Sequence, residues 1–175
     1  MRSSDDLLAC PRCTGPLRGL RCDRCPAQYT APGGIADLRL PGDGRTENVR
    51  DFYSESPFPG YPPRETFSAL RARAARSGFA RGLDAAIPGD ATVLEMGCGT
   101  GQLSLFLASA QRLVVGADLT RTALELGHRA AERFGVHGVR FVETDLHSPG
   151  LRAEAFDVVV CSGVLHHTAN PAGFH

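Results

Sequence analysis

Two groups of residues have the types and spacing for chemistry. Cys10, Cys13, Cys22 and Cys25 form two Cys-x-x-Cys pairs with eight residues between them. Each pair suits a tight turn that aims two thiolates at one ion. Two such turns on a hairpin supply the tetrahedral four-sulfur shell of structural zinc, with no open position for a reactive water. The second group is the run Val93-Leu94-Glu95-Met96-Gly97-Cys98-Gly99-Thr100-Gly101. Its alternating glycines allow positive φ and let backbone approach a ligand at a helix N-terminus. The dinucleotide form of such a turn reads G-x-G-x-x-G and usually lacks an acid two positions upstream. Two more acids, Asp118 and Asp145, stand just beyond apolar runs, where a carboxylate can accept hydrogen bonds from a ligand.

These residues need a scaffold, and the pattern around them supplies one. Ala91–Glu95, Arg112–Ala117, Val139–Glu143 and Phe156–Cys161 read as strands. Continuous apolar stretches such as Val158–Val160 suit a parallel sheet covered on both faces. Helices are expected at Gln102–Ala110 and Thr120–Phe134, the second with Thr120 as N-cap and Gly135 just past its end. Residues 64–77 also read as a helix, with Phe67, Leu70 and Ala74 on one side. Residues 7–40 form a short, turn-rich module. A module of this size buries too little surface to fold on its core alone, so bound metal is expected to stabilise it. Losing one thiolate should then unfold that module and leave the sheet domain standing. Between the two lie residues 41–63, where Phe52, Tyr53, Phe58 and Tyr61 stand among prolines, a linker or lid segment that packs on something.

The 175 residues suffice for one ordinary domain and a small appendage, and 42% hydrophobic residues can build its core. Formal net charge is zero, so no bulk field favours nucleic acid or an acidic membrane. All nineteen basic residues are arginine. Arg64, Arg71, Arg73, Arg76 and Arg81 spread around the helix wheel, as on a solvated face. No apolar run approaches the roughly 18 residues of a membrane helix, and Met1–Ala9 lacks the apolar core of a signal peptide. Paired cysteines in metal spacing, with Cys98 and Cys161 alone, fit a reducing cytoplasm rather than a disulfide framework.

The run from Val93 to Gly101 resembles motif I of the class I, Rossmann-type methyltransferases. Gly116-Ala117-Asp118-Leu119-Thr120, Thr144-Asp145-Leu146 and Cys161-Ser162-Gly163-Val164-Leu165-His166-His167 follow in the family's order. The resemblance covers residues 91 to about 171. It implies an α/β, doubly wound sheet and S-adenosylmethionine as cofactor. Glu95, Gly97, Cys98, Gly99 and Gly101 would cradle it. Asp118, with Leu119, would take the ribose hydroxyls. Asp145, with Leu146, would take the adenine amino group, and Ser162 would line the site. Leu8-Ala9-Cys10-Pro11-Arg12-Cys13, Gly15-Pro16-Leu17 and Gly34-Ile35-Ala36-Asp37-Leu38 resemble the small zinc ribbons that precede or partner methyltransferases.

The family's sheet usually has seven strands, and four are legible here. The methyltransferase domain, residues 64–175, is therefore expected to be the N-terminal part of a longer one, with an apolar edge strand open to self-association. The fourth-strand motif resembles that of small-molecule methyltransferases, which makes a small-molecule acceptor the leading expectation. Ribosomal or transfer RNA is the alternative, on the ribbon and the arginine-rich helix. A third reading is an inactive cofactor-binding or zinc-ribbon interaction protein. His166 and His167 are the candidate acid-base residues, although alignment of nucleophile, methyl and sulfur can itself lower the barrier to methyl transfer.

Overall fold

The computed structural model describes residues 4–41, 50, 54, 57–109 and 111–164. A 3-10 turn at Ser4–Leu7 comes first, followed by a short hairpin, β1 (Leu17–Arg18) and β2 (Arg21–Cys22). β3 (Ala36–Asp37) follows, then α1 (Phe67–Ala74) and α2 (Gly78–Ala86). The remaining elements alternate as far as β6 and end on a further strand: β4 (Thr92–Met96), α3 (Gln102–Leu107), β5 (Leu113–Asp118), α4 (Arg121–Phe134), β6 (Val139–Glu143) and β7 (Val158–Cys161).

Local chemistry sets the helix boundaries. The Thr66 hydroxyl accepts the Ala69 N–H at 3.2 Å and the Ser77 hydroxyl accepts that of Ala80 at 3.3 Å, so each caps its helix. α2 was not foreseen, because Gly78 and Gly82 weaken its helical propensity. Packing of Ala80 and Ile87 into the core offsets that weakness. Thr120 occupies the N-cap position of α4 but makes no capping side-chain bond, and Gly135 ends that helix at φ 66°.

The large sheet is parallel, in the order β3-β6-β5-β4-β7. Four of its strands are those expected. The fifth comes from the cysteine module, whose Ala36 and Asp37 pair with Val142 and Glu143. Side chains alternate across the sheet. Val93, Val114, Phe141 and Val160 share one core with residues of all four helices, including Leu70, Ala80, Leu105 and Leu124. Leu94, Met96, Val115, Ala117 and Val142 share the other with Leu7, Leu17, Cys22 and Leu38. The module is thus the layer that covers the sheet's second face. Leu7 and Leu38 are fully buried there. Among the described residues no helix is long and apolar enough to cross a membrane.

Candidate functional site

The strand order reverses at β4: the chain runs outward through β5 and β6, then returns to β7 on the other flank of β4. Ligands of open parallel sheets bind beyond the carboxyl ends of the strands at such a reversal. The glycine turn lies there, between β4 and α3. Gly97, Gly99 and Gly101 have φ of 73°, 54° and 75°. A Cβ at Gly97 would collide with Val164, and one at Gly101 with the Phe141 ring. The loop after β7 and the floor of the sheet therefore both demand glycine.

Asp118, at the end of β5, faces this turn. Its Oδ2 accepts the Gly99 N–H at 2.8 Å and its Oδ1 accepts the Thr120 N–H at 2.9 Å. Burial pushes the carboxyl above its ordinary value, while those two amides pull it down. Glu95 lies buried beneath the turn and accepts the Ser104 hydroxyl of α3. Burial raises its carboxyl to about 7, against the lowering effect of Ser104 and with a smaller push from the Asp118 charge. Burial, then the charges of Asp118 and Glu95, hold the Cys98 thiol well above its usual range, so it stays protonated. Cys161, half-buried in register with Met96, is likewise a free thiol.

The aromatic segment before α1 packs on the same turn. The Tyr61 hydroxyl donates to the Thr100 carbonyl at 2.7 Å. The Thr100 hydroxyl donates to the Pro59 carbonyl, and Gln102 Nε2 donates to that of Gly60 at 2.9 Å. The Phe58 carbonyl would lie 3.0 Å from a Cβ at Gly99. Residues 57–61 are thus strapped to the glycine turn, while Phe52 and Tyr53 lie outside the described residues.

The other expected site residues divide. Leu119 follows Asp118 and is half-buried, and Ser162 is exposed just past β7. Asp145 closes a local turn, its Oδ1 accepting the His147 N–H at 2.7 Å. Leu146 packs with the core on the cysteine-module face. His166 and His167 lie outside the described residues.

The sulfur atoms of Cys10, Cys13, Cys22 and Cys25 all lie within 4.8 Å of one another. Three of their separations are 3.4, 3.6 and 3.7 Å. A tetrahedron with zinc–sulfur distances of roughly 2.3 Å has edges of roughly 3.8 Å. The donor set and its spacing therefore fit a four-thiolate zinc ion. Tyr29 places its hydroxyl 3.1 Å from the Cys10 sulfur. Burial, then that sulfur, push the phenol above its ordinary value, so it remains a donor.

The arginines near α1 are exposed, as expected of a solvated face, and three of them also make contacts within the chain. Arg71 lies over the rings of Phe67 and Phe106. Arg73 pairs with Glu65 and reaches Gln102, and Arg81 donates to the Ala75 carbonyl.

Residues 93–174 match the methyltransferase-domain family. The match spans 82 of the chain's 175 residues, and over that stretch the chain is similar to methyltransferases. The ubiquinone biosynthesis O-methyltransferase of Actinobacillus pleuropneumoniae serotype 5b (strain L20) is 34% identical to it over 84 residues, 45% of this chain and 36% of that protein. The enzyme of the same name from Haemophilus ducreyi is 37% identical over 83 residues, 35% of its length. The chain thus spans little more than a third of the curated relatives it matches. Among solved structures, magnesium protoporphyrin IX methyltransferase from Synechocystis PCC 6803 with bound S-adenosylmethionine aligns with a TM-score of 0.54 at 23% identity. That alignment covers 77% of this chain and 69% of the other. The [4+2]-cyclase SpnF aligns with a TM-score of 0.55 at 21% identity, over 75% of this chain and 54% of its own. Both likenesses concern the fold.

Two residues of the sheet domain were not singled out from sequence. Ser104 gave no local signal, because its partner Glu95 lies across the turn. Glu143 gave a faint one, an acid closing the strand Val-Arg-Phe-Val-Glu, and the structure buries it to 1% exposure, where it has to be paired. Its partners, Arg39 and Arg121, are remote in sequence.

Proposed function

We propose that this domain binds S-adenosylmethionine on the glycine turn and directs its methyl group to a small-molecule acceptor. One observation carries the reading. At the topological reversal, a three-glycine turn faces a strand-terminal carboxylate, Asp118, to which its Gly99 amide is bonded at 2.8 Å. When bound, the cofactor supplies an electrophilic methyl on a sulfonium. The protein's work is then to hold and align. Both Asp118 oxygens are held by backbone amides, which aims the carboxylate at the turn where the ribose hydroxyls would lie. Glu95 and Ser104 fix the turn from below. Asp145, tied to its own turn, offers its remaining oxygen toward the adenine amino group. Leu119 and Ser162 border the same end of the sheet.

The named small-molecule O-methyltransferases among the relatives support the acceptor class. Arg73 is paired with Glu65, and the formal net charge of zero gives no bulk field in favour of the RNA alternative. The four cysteines would hold a structural zinc ion, and unoxidised cysteines in metal spacing suit a reducing compartment such as the cytoplasm. A fold of this type does not by itself imply methyl transfer, so binding and turnover need separate tests. Calorimetric titration with S-adenosylhomocysteine tests the site. A methyl-transfer assay on small hydroxylated acceptors beside ribosomal RNA tests the reaction and its acceptor. Saturable binding with transfer to a small molecule is expected. Lack of binding would overturn the site, and transfer to RNA alone would overturn the acceptor class.

A further inference from the structure

The large sheet ends in a cluster of charge that the cofactor reading leaves unused. Glu143, the last residue of β6, is buried, with Oε1 2.9 Å from Arg39 Nε and Oε2 2.5 Å from Arg121 Nη2. Arg39 leaves the cysteine module just after β3 and also bonds Asp37, at 3.2 Å. Arg121 is the first residue of α4 and donates to the Ile35 carbonyl at 3.1 Å. Burial pushes the Glu143 carboxyl up, and the two guanidiniums pull it back toward the charged form.

The backbone of the same residue is shared in the same way. The Glu143 carbonyl accepts the Leu38 N–H of the module at 2.8 Å, and the next amide, Thr144 N–H, donates to the Asp118 carbonyl at 2.8 Å. Asp145 follows directly. Glu143 therefore stands between the cysteine module on one side and the two acids of the cofactor site on the other. A fully buried carboxylate is costly to hold here unless both guanidiniums stay in place. Its two partners come from different layers, so keeping it paired keeps those layers in register.

We propose that Glu143 is a positioning residue through which the four-cysteine module sets the geometry of Asp118 and Asp145, so that order in the module is felt as affinity for the cofactor. The module then belongs to the working site without touching the ligand. The proposal rests on the reading of the glycine turn as the cofactor site.

The test uses the full chain loaded with zinc. Amide hydrogen exchange by NMR and calorimetric affinity for S-adenosylhomocysteine are measured for the wild type, Glu143→Gln and Asp157→Asn. Asp157 provides a control for general destabilisation, because it accepts the Thr92 N–H at 2.7 Å at the opposite end of the strands. Glu143→Gln should speed exchange at Leu38 and Thr144 beyond its effect on the slowest core amides and weaken binding by roughly fivefold or more. Asp157→Asn should lower global protection yet leave affinity within about twofold, as expected for a site with no coupling to it. Should Glu143→Gln fail to fold, Arg39→Met carries the same comparison, since it cuts only the module's side of the pair. Uniform loss of protection, or affinity unchanged in a wild type that binds, overturns the proposal alone. A wild-type chain that binds no S-adenosylhomocysteine overturns the cofactor reading and the proposal with it.

Discussion

The Gly99 amide donates to Asp118 Oδ2 at 2.8 Å, so the strand-terminal acid and the glycine turn form one unit before any ligand arrives. Preorganisation of this kind lowers the cost of ordering a site on binding. Asp118→Ala removes both the acceptor for ribose and the brace for the turn. Affinity for S-adenosylhomocysteine should fall by roughly 1.5–3 kcal/mol, the range for hydrogen bonds to a charged group. Gly99→Val should do at least as much harm, because it forces a β-branched residue into φ 54° and against the Phe58 carbonyl. Calorimetry on both variants checks this, and unchanged affinity in both would remove the turn from the site.

Glu95 should leave a signature in the pH dependence of stability. Its folded carboxyl titrates at about 7, while an unfolded glutamate titrates at about 4.3. Between those values the native state holds a proton that the unfolded chain has released. Stability from this group is therefore fully present below about pH 4 and is lost as pH rises through about 7. The window corresponds to at most roughly 4 kcal/mol at about 1.4 kcal/mol per pH unit. Glu95→Gln keeps the acceptor for Ser104 and removes the titration. Its thermal midpoint should exceed the wild type's near pH 8, with the gap closing toward pH 4. Parallel pH profiles for the two proteins would show that Glu95 is not held protonated.

What could be read in advance was local. The glycine turn, its flanking strands and the long helix α4 follow from spacing within a few residues, and β6 spans Val139–Glu143 as expected. The contributions of distant segments could not be read that way. A two-residue strand such as Ala36–Asp37 has no alternation to detect, and its partner is more than a hundred residues away. Nothing near Tyr61 announces that its hydroxyl will meet the Thr100 carbonyl. The apolar residues of the cysteine module could be counted, but not the sheet face they would cover.

Arg112 offers a test of how α2, absent from the sequence reading, is fastened. Its guanidinium is buried and donates to Asp84 Oδ1 at 2.7 Å and to the carbonyls of Ile87, Leu107 and Pro88 at 2.6, 3.0 and 3.1 Å. It thus ties the end of α2 to α3 and the start of β5. Arg112→Met should cost about 3–5 kcal/mol, the usual result of breaking a buried charged network on one side. Arg112→Lys should recover little, because an ammonium cannot match the planar fork. Denaturant unfolding of both variants measures it, and a loss below about 1 kcal/mol in each would show that the network is not needed.

The last prediction concerns the metal, and the shared core replaces the expectation that the cysteine module would unfold alone with a cooperative one. Cys10 and Cys22 are buried in the same core as Leu94, Met96 and Val115, on the second face of the central strands. The module also supplies the edge strand β3, and Leu8 bridges to Leu151. Its loss would expose one face of the sheet and reopen the edge of β6. About one zinc ion per chain should be found by elemental analysis of protein purified without added metal, given four sulfurs at tetrahedral spacing. Cys22→Ser, or a strong chelator, should then destabilise the whole chain in one cooperative transition. Far-ultraviolet circular dichroism reports the sheet and helices, and Tyr29 fluorescence, in a background carrying both Tyr53→Phe and Tyr61→Phe, reports the module. Coincident transitions at a lowered midpoint are expected. A module that melts early while the sheet keeps its wild-type midpoint would show that the second face holds without it.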